Sequence, residues 1–70
     1  MEMIDVSSST VQAIGYDEAT GTLRVVFLKS GTYEYYLVPS EIYLAFISAP
    51  SKGQFHNLYI KKGGYSYSRV

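Results

Sequence analysis

The chain predicts an α+β fold, in which a three-stranded antiparallel β-meander packs against two short helices, with a short C-terminal strand at the end. Three features carry this expectation. Val11 to Tyr16, Leu23 to Leu28 and Thr32 to Val38 are rich in β-branched and aromatic residues and are separated by turn-forming stretches. Pro39 and Pro50 bracket an apolar run that does not alternate and so reads as a helix. From Tyr65 to Val70 the pattern returns to a period of two.

The elements follow in order. Asp17-Glu18-Ala19-Thr20-Gly21 and Lys29-Ser30-Gly31 supply the two turns of the meander. Leu23, Val25 and Phe27 share one face of the second strand, and Tyr33, Tyr35 and Leu37 share one face of the third. Pairing those faces gives a continuous apolar side. Arg24 and Glu34 then point the other way, as an opposite-charge cross-strand pair worth at most about 1 kcal/mol.

Pro39 pre-sets a helical φ in the first turn, where its missing N–H costs nothing, and Glu41 suits the positive end of the helix. Projected at about 100° per residue, Ile42 to Ala49 places Ile42, Ala45, Phe46 and Ala49 on one stripe. Leu44 and Ile47 fall on roughly the opposite side. Pro50 stops this helix, and Ser51-Lys52-Gly53-Gln54 has the form of a capping box opening another. Phe55, Leu58 and Tyr59 give the second helix its own apolar stripe, and Gly63-Gly64 closes it. The last strand puts Tyr65, Tyr67 and Arg69 on one face and adds to the sheet.

Seventy residues form one domain, 1–70, because a chain this short buries only about 60% of its unfolded surface and cannot divide that between two cores. Cysteine is absent, which excludes disulfides and thiolate metal sites. The amino terminus lacks the basic start and apolar run of a signal peptide, and no stretch approaches the ~20 apolar residues of a membrane span. A cytoplasmic location without membrane contact is expected. Eight tyrosines are the compositional outlier; most belong to core and sheet packing.

The net charge of zero hides a split. Every carboxylate side chain precedes residue 42, whereas Lys52, Lys61, Lys62 and Arg69 follow it with no acid among them. These cations alternate with aromatic rings, the combination that neutralises phosphates and stacks on bases. Lys52, Lys61, Lys62 and Arg69, with Tyr36, Tyr65 and Tyr67 for stacking, are thus candidate contacts for RNA or single-stranded nucleic acid. At the start of the second helix the Lys52 and Gly53 amides, the Ser51 hydroxyl and the Lys52 ammonium offer a phosphate contact, although capping accounts for the same residues. Lys61 and Lys62 also complement the helix dipole. The competing reading is a protein partner or a homo-oligomer contacting Leu44 and Ile47, and overall neutrality favours it.

Enzyme chemistry is not expected. His56 is the only histidine, so a metal cluster would need carboxylates from the other half of the chain, and a serine–histidine pair lacks a neighbouring acid. Asp17-Glu18 fits a hairpin turn. No catalytic residue, metal or cofactor is therefore assigned, and His56 is placed on a helix surface or rim.

Across nearly its whole length the chain resembles the KTSC domain. The resemblance rests on Val6, Ser8-Ser9, Ile14-Gly15-Tyr16-Asp17, Leu23-x-Val25-x-Phe27, Gly31, Tyr33-Glu34-Tyr35, Val38-Pro39, Tyr43, Ala49, Ser51-x-Gly53, Asn57, Ile60 and Tyr65-x-Tyr67-x-Arg69. It departs from the family pattern at His56, where an apolar or aromatic residue is expected, and at Gly63-Gly64. The family is named for its place at the carboxyl end of some lysyl-tRNA synthetases and also occurs as stand-alone bacterial or phage proteins. The resemblance implies the fold more than a function, and its synthetase association implies nucleic-acid binding.

Overall fold

A computed structural model describes residues 1–70. Its five strands are β1 (Met3–Asp5), β2 (Val11–Asp17), β3 (Thr22–Phe27), β4 (Gly31–Tyr35) and β5 (Tyr67–Arg69). They form one antiparallel sheet in chain order, β1-β2-β3-β4-β5. Between β4 and β5 lie two helices, α1 (Ser40–Ser48) and α2 (Lys52–Phe55), the latter running on into a π-helical turn, His56–Lys61. The α+β class and the meander are as the sequence predicts. The sheet is wider by β1, which adds to β2 with Ile4 opposite Ile14.

The register of β3 and β4 follows the alternation. Leu23 pairs with Tyr35, Val25 with Tyr33, and Arg24 with Glu34. Arg24 Nε donates to Glu34 Oε2 at 2.9 Å, in the one ion pair of the molecule. Along β2 the alternation is interrupted between Val11 and Ala13. This bulge lets Val11 and Ile14, three apart, both point into the core, where each is 0% exposed. On the reverse face Gly15 is the cross-strand partner of Met3, whose side chain lies over it: a Cβ on Gly15 would strike the Met3 sulfur.

Strand β4 ends three residues before the predicted Val38. Leu37 takes φ +56°, which breaks the extended backbone and turns Val38 back toward the sheet. The Val38 N–H donates to the Gly21 carbonyl at 2.9 Å, and its own carbonyl accepts the Tyr16 hydroxyl. Pro39 sits one place earlier than the first helical turn: its ψ of 146° is extended, and it serves as the N-cap of α1.

The helices cover the core face of the sheet. Phe46 is fully buried, while Ile42, Tyr43 and Ile47 pack beside it. The buried stripe of α1 is therefore rotated from the predicted one. Ala45 is exposed and Ile47 is packed against the core; Leu44 remains at the surface. Phe46 stacks on Phe55 with ring centres 5.4 Å apart, which docks α1 on α2, and Tyr16 stacks on Tyr43 at 4.9 Å. Ser51 accepts the Gln54 N–H at 3.3 Å, the expected cap of α2. Gly64 leaves the π-turn at φ +80°, and the chain then reaches β5, whose Tyr67 pairs with Tyr35 and Arg69 with Tyr33. Tyr65 precedes the ladder rather than joining it. No helix is long and apolar enough to cross a membrane.

Candidate functional site

Beside the π-turn the core face of the sheet opens into a cleft of about 570 Å³. Phe27, Tyr33, Tyr35 and Tyr67 line it from the strands, Thr10, Ser30 and Tyr65 from the connections, and His56, Ile60 and Lys61 from the π-turn. The strand residues are there because of register. Phe27, Tyr33, Tyr35 and Tyr67 alternate onto the same face of three neighbouring strands, so their rings meet across the ladder. Tyr67 lies 5.6 Å from Tyr35 and 6.2 Å from Tyr33, centre to centre.

The π-turn supplies the other wall. At the α-helical 100° per residue, His56 and Lys61 would point about 140° apart. The i→i+5 bonding of a π-turn widens the turn and brings residues five apart closer to one side. His56 and Lys61 consequently face the same cleft, with Ile60 anchored between them in the core at 1% exposure.

At the floor, the Tyr35 hydroxyl and His56 Nε2 share a hydrogen bond of 2.7 Å. The His56 ring also meets the Phe27 ring edge-on at 4.8 Å. Burial, and secondarily the Lys61 ammonium, pushes the imidazole pKa down, favouring the neutral ring. Burial, and then the neighbouring Tyr33 and Tyr67, pushes the Tyr35 phenol up to about 12. Both partners are thus held uncharged at neutral pH. The cleft's charge comes from its margin: Lys61 lines it and no acidic residue does. Arg69, cross-strand partner of Tyr33, lays its guanidinium over Gly31, where a Cβ would sit 3.2 Å from Nε and Nη2. Gly31 thus satisfies two demands at once, this close approach and its own φ of +91°.

Of the residues singled out from sequence, Lys61, Tyr65 and Tyr67 come together at this cleft, with Arg69 beside it. Lys62 is exposed just past the π-turn and does not line it. Lys52 is elsewhere. Its ammonium donates to the Ala49 carbonyl at 2.5 Å, and its side chain borders a separate polar groove formed by Ser7 to Thr10 and Pro50 to Gln54. Two of the groups offered to a phosphate at the α2 start, the Lys52 ammonium and the Ser51 hydroxyl, are therefore engaged in capping α1 and α2. Tyr36 is on the reverse face, half-buried rather than free, with its hydroxyl bonded to Ser68 Oγ and reaching Glu34. In the alternative pair, Leu44 is 55% exposed, whereas Ile47 turns inward.

His56, expected on a helix surface or rim, is half-buried at the floor of the cleft among Phe27, Tyr35 and Phe46. The apolar or aromatic residue that the family pattern expects at this position was the signal that it faces inward. Phe27, Tyr33 and Tyr35, which the alternation places on the apolar face, also present surface to the cleft.

The architecture and site together define a small α+β module with an aromatic cleft flanked by cations; no three of its histidine, aspartate and glutamate side chains assemble as a metal site. The chain belongs to the KTSC domain family, whose model matches residues 7–70. It is 33% identical over 70 residues to an uncharacterized protein of Stutzerimonas stutzeri, covering 100% of this chain and 99% of that one. It is 34% identical over 59 residues to a lysine–tRNA ligase of Nostoc punctiforme, covering 84% of this chain and 10% of the ligase. The crystal structure of a KTSC domain protein from Yersinia pestis superposes with a TM-score of 0.93 at 38% identity, covering 99% of this chain and 96% of the other.

Proposed function

We propose that residues 1–70 act as a single non-catalytic binding module in the cytoplasm, contacting RNA or single-stranded nucleic acid through the cleft beside the π-turn. The observation that carries this reading is the convergence of Lys61, Tyr65 and Tyr67 on one acid-free cleft with Arg69 at its side. Exposed rings provide stacking worth about 1–3 kcal/mol per base, and cations neutralise phosphates. The similarity to part of a lysine–tRNA ligase adds support, since that enzyme acts on tRNA.

Anisotropy titration of labelled single-stranded RNA, duplex RNA and tRNA tests the reading. With two phosphate-contacting cations the single-strand affinity falls about sevenfold between 50 and 200 mM salt, from a slope of roughly −0.7 per contact. Lys61→Glu with Arg69→Glu abolishes binding. Absence of binding even at low salt rejects the proposal. The exposure of Leu44 favours a second reading, a protein partner or self-association through α1; such a contact is insensitive to salt and is disrupted by Leu44→Asp.

A further inference from the structure

We propose that the cleft takes one unstacked nucleotide at a time, its base against the Tyr33 and Tyr67 rings and its phosphate held by Lys61 and Arg69. This inference rests on the nucleic-acid reading above and adds the unit of recognition. Two observations carry it. The first is size: about 570 Å³ lies within the 300–1,000 Å³ range of small-molecule sites, so the cleft is a pocket for one ligand rather than a long channel. The second is the distribution of the other contacts. A groove that tracks several nucleotides needs successive cations and rings. Here Lys52 is turned back onto the Ala49 carbonyl, Tyr36 is on the reverse face bonded to Ser68, and Lys62 lies outside the cleft. No track of alternating cations and rings leads away from the site.

The lining matches the chemistry of a nucleotide. Tyr67 is 63% exposed and offers a face for a flat heterocycle, with Tyr33 beside it. The Thr10 and Ser30 hydroxyls and the Tyr35–His56 pair offer polar atoms to base edges or to the sugar. The cations are unopposed: the only carboxylate in an ion pair, Glu34, is on the other face with Arg24. A phosphate in the cleft meets no acid, and a neutral ring meets an aromatic wall.

The experiment is an amide-resolved NMR titration of the intact chain with AMP, CMP, adenosine and ribose 5-phosphate, followed by RNA oligomers of one, two, four and eight nucleotides. The expected result is saturable shifts at His56, Lys61 and Tyr67 with the mononucleotides. Adenosine and ribose 5-phosphate each bind at least fivefold more weakly. Affinity rises from one to eight nucleotides by no more than the roughly eightfold expected from the number of equivalent positions on the strand. Lys61→Ala weakens AMP severalfold and leaves adenosine unchanged; Tyr67→Ala weakens both, and its amide spectrum away from the cleft reports that the fold is kept. Octamer binding with no mononucleotide shifts, or a rise with length far beyond eightfold, overturns the single-nucleotide inference while leaving the nucleic-acid reading standing. No shift with any oligomer ends both.

Discussion

Replacing Tyr35 by Phe removes one oxygen from the floor of the cleft, and the structure dictates two opposing effects on stability. At neutral pH the 2.7 Å bond to His56 Nε2 is lost and the imidazole nitrogen is left without its partner, at a cost of about 1 kcal/mol. At alkaline pH the sign reverses. The unfolded chain releases the Tyr35 proton near pH 10, whereas the folded protein holds it to about 12. Between those values the folded state binds more protons, so its stability falls as pH rises through the window, and the full contribution is present only below about 10. The loss totals on the order of 2–3 kcal/mol. Phenylalanine has no proton to lose, so this loss is confined to wild type. Urea unfolding from pH 7 to 12 therefore yields curves that cross: wild type is the more stable below pH 10, and Tyr35→Phe is the more stable near 12. Coincident curves across this range would refute both the buried phenol and its hydrogen bond, and curves offset by a constant amount would refute the raised phenol alone.

Three further outcomes are expected. Because His56 is held neutral in the folded state, the unfolded chain takes up its proton first as pH falls through about 6.5; stability is complete above that value and declines below it, and His56→Phe flattens this part of the acid limb in urea titrations. Phe46→Ala deletes a fully buried ring stacked on Phe55, at about 3–5 kcal/mol; against the roughly 4–10 kcal/mol available to 70 residues, about half of the stability is lost and the urea midpoint falls in proportion. Leu37 holds φ +56° while 82% exposed, so Leu37→Gly relieves about 1–2 kcal/mol of left-handed strain, less the ~0.5–1 kcal/mol entropic cost of glycine; a melting temperature that fails to rise counts against strain at this residue.

Where local pattern decides structure, the sequence was sufficient. Alternation placed Leu23, Val25, Tyr33 and Tyr35 on the core face and made Arg24 and Glu34 cross-strand partners. What escaped it depends on contacts made at a distance. Strand β1 is three residues long, too short for an alternation to be read, and is set by its pairing with β2. Leucine is not a turn-forming residue, so the end of β4 at Leu37 carries no local mark. The α1 stripe contains enough apolar residues for two faces, and only docking of Phe46 on Phe55 selects Ile42, Tyr43 and Ile47 over Ala45. In the candidate site, Lys61, Tyr65 and Tyr67 were legible as a mixture of charge and rings. Their separation from Lys52 and Tyr36 was not, because it follows from how helix ends and sheet faces use those side chains.

The π-turn links the core to the cleft. Phe55 must stack on Phe46, and Ile60 must fill the space above the sheet, yet in an α-helix residues five apart point about 140° away from each other. Bonding at i→i+5 resolves the conflict by bringing Phe55 and Ile60 to one side. The next pair along the helix, His56 and Lys61, is carried round by the same change, and both residues line the open end of the sheet, His56 packed at the floor and Lys61 at the margin. The widening that buries an apolar pair thus sets an imidazole and an ammonium over a wall of tyrosines. A neutral overall charge is compatible with such a site because the acids are confined by chain order to the first 41 residues and none lines the cleft, whose one charged lining residue is Lys61, with Arg69 beside it. Local sign, rather than net charge, is what an approaching phosphate meets within a Debye length of about 8–10 Å.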